Sequence, residues 1–378
     1  MKNRDEIINT IKLLLYKENT SVFKKLNFDD DEVFLEPLLF AYFNSKSYNS
    51  YPKEALEEML QGYFIKKEEI ITHSYSRDGI AYVPNIGYFK VNESIPFEKI
   101  KFIAHTNIEL IQYPIIYLKY IFRDFNEQPI EERKITISKE LVEVHEESLT
   151  IALSYIKKYS SNHYNLIEQC CKKILLFKTD PKNTNPFATI NAHGIAFLNV
   201  FQKEYDEVFF VDDIAHQTGH CIFYALLEDT SEFIKVEPSI TIEIISYGQN
   251  ETENRSLYIL FHALYTYYTT LKCLDACLSE GVFSGAKKHE AIGRLCFYFS
   301  KCYKDILLID NPISSNTRAK EMFTDKGFKV YSEIKRTFID LADKWRKDIE
   351  KGYSLSNQPY NFSYSKFVKL NPLNENNR

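Results

Sequence analysis

Glycine and proline are scarce in this chain of 378 residues, with 11 and 12 copies against average usage of roughly 7% and 5%. The shortage excludes collagen-like, linker-rich and low-complexity classes. A basic excess is also missing. Lys+Arg 47 against Asp+Glu 52 leaves a net charge of −5, so there is no electrostatic footprint for nucleic acid. Long apolar runs are lacking too. The most apolar stretch, 257–274, is interrupted by His262, three threonines and Lys272, short of the about 20 uninterrupted residues a membrane span needs. The opening MKNRDEIINT has no apolar core, so no secretory signal is expected. Nor is there a GxGxxG fingerprint, a P-loop or a nucleophile elbow.

Aromatic residues, by contrast, are abundant. Tyr 27, Phe 28 and Trp 1 are far too many for a disordered chain, and the length allows two or three domains. Seven cysteines, at 170, 171, 221, 273, 277, 296 and 302, lie inside apolar stretches without disulfide-scaffold spacing. They read as reduced, buried thiols of a soluble cytoplasmic protein. Cys273 and Cys277 have zinc-ligand spacing, but no further pair stands nearby.

Apolar periodicity predicts helices over 5–25, 31–44, 54–71, 109–123, 138–160 and 164–177. Residues 78–91, with two glycines and a proline among alternating apolars, predict a hairpin. After a turn-rich loop at 178–187, the pattern predicts a strand over 189–201, a helix over 205–228, a strand over 239–248 and a polar loop, QNETEN. Helices follow over 255–279, 286–309 and 317–350, and then a polar, poorly ordered tail. The expected fold class is mainly α with a small β element (α+β). The expected organisation is a helical N-terminal region over 1–178, a metal-site core over 179–310, a C-terminal helix over 311–350 and the tail 351–378.

Chemistry concentrates in two places. In His216-Gln217-Thr218-Gly219-His220, two imidazoles at i and i+4 project from one helix face and can reach one cation. Nine histidines yield such a pair by chance about 0.2 times in a chain of this length, so spacing alone is a weak motif. Asp213 shares that face, three residues before His216. It is either a third ligand or the acceptor that fixes an imidazole tautomer, or else Asp212 and Asp213 simply charge the helix's first turn. The second place is Arg255-Ser-Leu-Tyr-Ile-Leu-Phe-His262, whose ends share a face if the segment is helical. His262 is then a hydrogen-bonded core residue or a metal ligand. Arg255 offers a planar fork for a carboxylate. His193, at a loop–strand junction, could face the same site.

The stretches HQTGH (216–220) and RSLYILFHALYTY (255–267), with a strand upstream at 189–200, resemble the HExxH-motif putative peptide-modification proteins. These are iron- and 2-oxoglutarate-dependent peptide β-hydroxylases of ribosomal natural-product pathways. The resemblance covers about a quarter of the chain, roughly residues 180–280, and leaves the N-terminal half untouched. It implies a zincin-like core in which His216, His220 and His262 bind Fe(II), with Arg255 holding 2-oxoglutarate and a precursor peptide as substrate. One departure matters. Gln217 stands where the name-giving motif has Glu, and Gln cannot be the general base of a zinc peptidase. An oxygenase needs no such base, and two histidines plus one further ligand, with open positions, suit non-haem iron. The alternatives are a zinc metallopeptidase-like protein without peptidase activity, and a non-enzymatic helical binding protein.

Overall fold

Residues 2–44, 51–52, 54–123, 134–246, 252–312 and 318–373 are described by the computed structural model of the chain. Over these residues the architecture is mainly α with small β-sheets. It divides into two compact units, Met1–Thr150 with Leu166–Tyr205, and Ile151–Asn165 with Asp206–Arg378. The turn-rich loop at 178–187 therefore lies inside the first unit.

The first unit opens with α1 (Lys2–Glu18) and α2 (Thr20–Phe23), separated at Asn19, whose side chain caps α2. α3 (Asp31–Phe34) and α4 (Pro37–Asn44) replace the single helix expected over 31–44. Pro37 has no N–H to donate and biases Glu36 away from helical geometry. α5 (Ala55–Leu60) ends in a 3₁₀ turn at Tyr63, so the expected helix over 54–71 is cut short. The hairpin is present as β1 (Ile80–Val83) and β2 (Gly87–Lys90), extended by β3 (Glu98–Lys99).

Next come β4 (Glu109–Ile111), a 3₁₀ stretch Ile116–Arg123, α6 (Lys139–Tyr159) and α7 (Ser161–Cys170). They are followed by β5 (Lys173–Phe177), β6 (Phe187–Ala188) and β7 (Ile195–Asn199). The sheet order is β4-β5-β7-β6, parallel except for β6. Two of the expected helices thus contain strands. KILLF and IAFLN are buried at every position, and a parallel strand covered on both faces shows no alternation by which to recognise it. At the edge of this core Lys173 sits 2.7 Å from Glu109 and 3.2 Å from Glu36, with the Tyr82 hydroxyl 2.9 Å away. Burial works against its charge, but the two carboxylates outweigh that and hold its pKa above the usual value.

The second unit is built on α8 (Glu207–Leu226), the hairpin β8 (Thr241–Ser246) and β9 (Thr252–Ser256), α9 (Leu257–Ser279) and α10 (Gly285–Asp310). Asp206 caps α8 through Val208 N, and Ser256 caps α9 through Ile259 N. Half of the expected polar loop QNETEN is different: Thr252 onward is strand, while 249–251 lie outside the described residues. In place of one helix over 317–350 there are α11 (Ala319–Met322), α12 (Asp325–Lys344) and α13 (Arg346–Ile349).

The tail is not poorly ordered over 351–373. It carries α14 (Tyr364–Leu370), and Phe367 is fully buried. A Cβ at Gly293 of α10 would meet the Phe367 ring at 2.7 Å and the Phe362 ring at 3.0 Å. The two aromatic rings therefore rest directly on the α10 backbone, and each such burial contributes roughly 1.5–3 kcal/mol. Residues 374–378 lie outside the described ones.

Candidate functional site

α8 and α9 pack against each other over much of their length, and the reason is small side chains at the contact. A Cβ on Gly219 would come within 2.5 Å of Thr269 Oγ1 and 3.4 Å of Thr266 Cα. Thr269 Oγ1 in turn donates to the Ala215 carbonyl at 3.0 Å, a bond between the two helices. Gly219→Ala should therefore force the helices apart and destabilise the second unit by about 1–3 kcal/mol. Urea denaturation followed by the fluorescence of Trp345, the only tryptophan, checks this; a change below 0.5 kcal/mol, the scale of ordinary surface substitutions, would contradict it.

This close approach brings the three predicted histidines together. His216 and His220, one turn apart on α8, have ring centroids 5.1 Å apart, and His220 lies 4.4 Å from His262 of α9. His220 Nδ1 and His262 Nε2 are 2.6 Å apart and share one proton in a hydrogen bond. Phe223 stacks on the His262 ring at 4.6 Å, and Tyr267 and Tyr298 flank His216 at 6.0 and 5.7 Å. Burial pushes all three imidazoles down, His220 to about 4 and the others well below their ordinary value. They are neutral near pH 7, which is the form that binds metals.

Four buried side-chain atoms on this stretch of α8 have no hydrogen-bond partner: Asp212 Oδ1, Asp213 Oδ2, His216 Nδ1 and Gln217 Oε1. Asp213 Oδ1 accepts from Gln217 Nε2 at 3.3 Å. Burial, reinforced by the neighbouring Asp212, pushes the Asp213 carboxyl up to about 8. Asp212 and Asp213 stand beyond the first turn of α8, which begins at Glu207, so they do not charge its N-terminus. Asp212 pairs with Arg294 at 2.6 Å, and Arg294 also binds Glu290 at 2.6 Å.

The folded state holds the Asp213 proton up to about pH 8, whereas an unfolded Asp releases it near pH 3.9. Between those values the native state binds more protons than the unfolded one, so this group makes stability fall as pH rises, by at most about 1.4 kcal/mol per pH unit. In chelator-treated protein, Asp213→Asn should remove that decline: equal to wild type near pH 4 and more stable at pH 7. Denaturant midpoints at the two pH values test it, and parallel curves for the two proteins would refute it.

Arg255 is placed differently from expectation. It is a residue of β9, not of the helix that carries His262. Its guanidinium makes a bidentate pair with Asp305 of α10, at 2.9 and 2.8 Å, and a third bond to Glu243 of β8 at 3.1 Å. Three of its five N–H donors are thus taken by the protein's own carboxylates. His193 belongs to the first unit, where it is buried against Phe40 with ring centroids 5.2 Å apart. The strand expected upstream of the motif, β7, is in that unit as well. Cys273 and Cys277 are buried free thiols, like the other five cysteines.

Among the described residues, no three His, Cys, Asp or Glu side chains stand in an arrangement that could hold a metal ion. The His220–His262 bond turns two candidate ligand nitrogens toward each other. One set of polar residues escaped the sequence reading. Glu290, Arg294, Tyr298, Lys301 and Asp305 form a stripe along α10, with spacings of three and four that place them on one face. That stripe was legible as polar residues interrupting a helix rich in Leu, Phe and Ile. Among the described residues no helix is long and apolar enough to cross a membrane. No family model matches the chain, and no curated protein matches it either.

Proposed function

We propose that this chain is a metal-dependent enzyme that holds Fe(II) with His216, His220 and His262, and that with 2-oxoglutarate it hydroxylates a side-chain carbon of a precursor peptide. The observation that carries the metal part is the meeting of three half-buried, neutral imidazoles from two helices. Among the four buried side-chain atoms of α8 that lack partners are His216 Nδ1 and Asp213 Oδ2. A cation gives such atoms a partner. Binding requires His220 and His262 to exchange their mutual hydrogen bond, worth a net of about 1 kcal/mol, for bonds to the ion. Asp213 is the runner-up third ligand, after loss of its proton.

The oxygenase part rests on the resemblance of HQTGH and RSLYILFHALYTY to the peptide-modification family. Fe(II) with 2-oxoglutarate supplies, when bound, an oxidant that takes a hydrogen atom from carbon. The protein's residues then have to bind, orient and keep out water. Phe223, Tyr267 and Tyr298 around the imidazoles suit that task. Gln217 is compatible because no proton has to be removed from water. Seven buried thiols, none in a disulfide, accord with a reducing cytoplasm.

Anaerobic loading with Fe(II) and 2-oxoglutarate tests the reading. A visible charge-transfer band that disappears in His216→Ala is the expected result. Zinc bound tightly in place of iron would move the reading to a metallopeptidase-like protein, inactive until Gln217→Glu restores a base. The 2.6 Å His220–His262 bond favours a second reading, a helical binding protein with a metal-free histidine pair. Under it no metal is retained, and His216→Ala costs local packing only.

A further inference from the structure

We propose that Lys301, on the inner stripe of α10, is the anchor for the carboxylate of a small anionic co-substrate at the histidine cluster. The inference rests on the metal-enzyme reading only for what the co-substrate is used for; the anion site itself stands on the surroundings of Lys301.

The cations in this part of the second unit are unequally provided for. Arg294 is held between Asp212 and Glu290, and Arg255 between Asp305 and Glu243. Lys301, among the described residues, has no carboxylate in ion-pair contact. Its Nζ donates to the backbone carbonyl of Tyr360 at 2.7 Å, a neutral acceptor in the segment leading to α14. Around the ammonium stand the rings of Tyr360, Phe297 and Tyr267, at 4.4, 4.6 and 5.7 Å from Nζ. Tyr267 is the same ring that flanks His216, so the ammonium and the first histidine of the motif border one side chain.

A half-buried ammonium in an aromatic box with a single neutral acceptor is short of an anion. Burial drives its pKa down to about 8 against the pull of Asp305 and Asp212, in keeping with that shortage. A carboxylate replacing the Tyr360 carbonyl would turn a neutral acceptor into a charged one, the stronger kind of hydrogen bond. Arg255, the residue the sequence suggests for this task, already spends three of its five donors on Asp305 and Glu243.

The test is calorimetric titration of the full chain with glutarate, a dicarboxylate that lacks the keto group needed to chelate a metal through adjacent oxygens. It is done on chelator-stripped protein and on protein loaded with redox-inert Zn(II). Wild type should bind in both forms, with affinity about 10- to 100-fold weaker in Lys301→Met, the worth of one charge-assisted hydrogen bond. Lys301→Arg should retain most of it, and Lys304→Met, which alters an exposed lysine on the same helix, should change nothing. If Lys301→Met fails to give the wild-type melting profile, Lys301→Gln, which keeps a polar end, takes its place. Absence of glutarate binding to wild type, or binding unchanged in Lys301→Met, overturns the proposal. Lys301-dependent binding in a protein that takes up no metal would keep this proposal and sink the metal reading. Metal uptake through His216 without Lys301-dependent binding would do the reverse.

Discussion

Replacing His220 with alanine is expected to lower the affinity for Fe(II) or Zn(II) by about two orders of magnitude. Structural metal sites are worth about 10–16 kcal/mol shared among their ligands, so one imidazole carries on the order of 3 kcal/mol, and each 1.4 kcal/mol is about tenfold. His220 is the most telling position because it stands between the other two histidines, 5.1 Å from His216 and 4.4 Å from His262 by ring centroid. The same substitution has a second consequence without metal. It leaves half-buried His262 Nε2 without its hydrogen-bond partner, which costs about 1 kcal/mol of stability. Melting curves with and without added metal separate the two effects. A metal enzyme loses the metal-dependent increment in the variant. A metal-free histidine pair shows no increment in wild type, and the variant falls by the same amount in both curves.

Arg294→Met should be the most destabilising single change in the second unit, by about 3–5 kcal/mol. The guanidinium is buried, it bonds Asp212 and Glu290 at 2.6 Å each, and it lies over the rings of Phe362 and Phe209 at 5.0 and 5.5 Å. Methionine fills much of the volume but leaves two buried carboxylates that must either stay charged without a partner or take up protons. The denaturant midpoint read from Trp345 fluorescence should drop accordingly, and Asp212→Asn with Glu290→Gln in the Arg294→Met background should recover part of the loss. A loss below 1 kcal/mol, or no recovery, would mean that water already reaches this network.

Local sequence determined the helices that carry the site. Asp206 before α8 and Ser256 before α9 are capping residues, and the apolar periodicity of 205–228, 255–279 and 286–309 is strong enough to call each helix to within two residues. The i, i+4 spacing of His216 and His220 put them on one face whatever the rest of the chain did. The polar stripe of α10 was equally local, and reading it would have brought Arg294 and Lys301 forward. The strands β4 and β5 were not legible, since a fully buried strand and a buried helix segment share the same apolar run.

Tertiary structure decided the rest, because each decision joins residues far apart in the chain. Arg255 took carboxylate partners that local sequence could not name, Asp305, 50 residues later, and Glu243. His262 was a core residue or a ligand until the Gly219–Thr269 contact set its ring against His220. His193 went to the first unit, where it is buried against Phe40. Periodicity fixes which face of a helix a side chain occupies, but the partner across from that face is set by packing, where buried charges and imidazoles must satisfy one another.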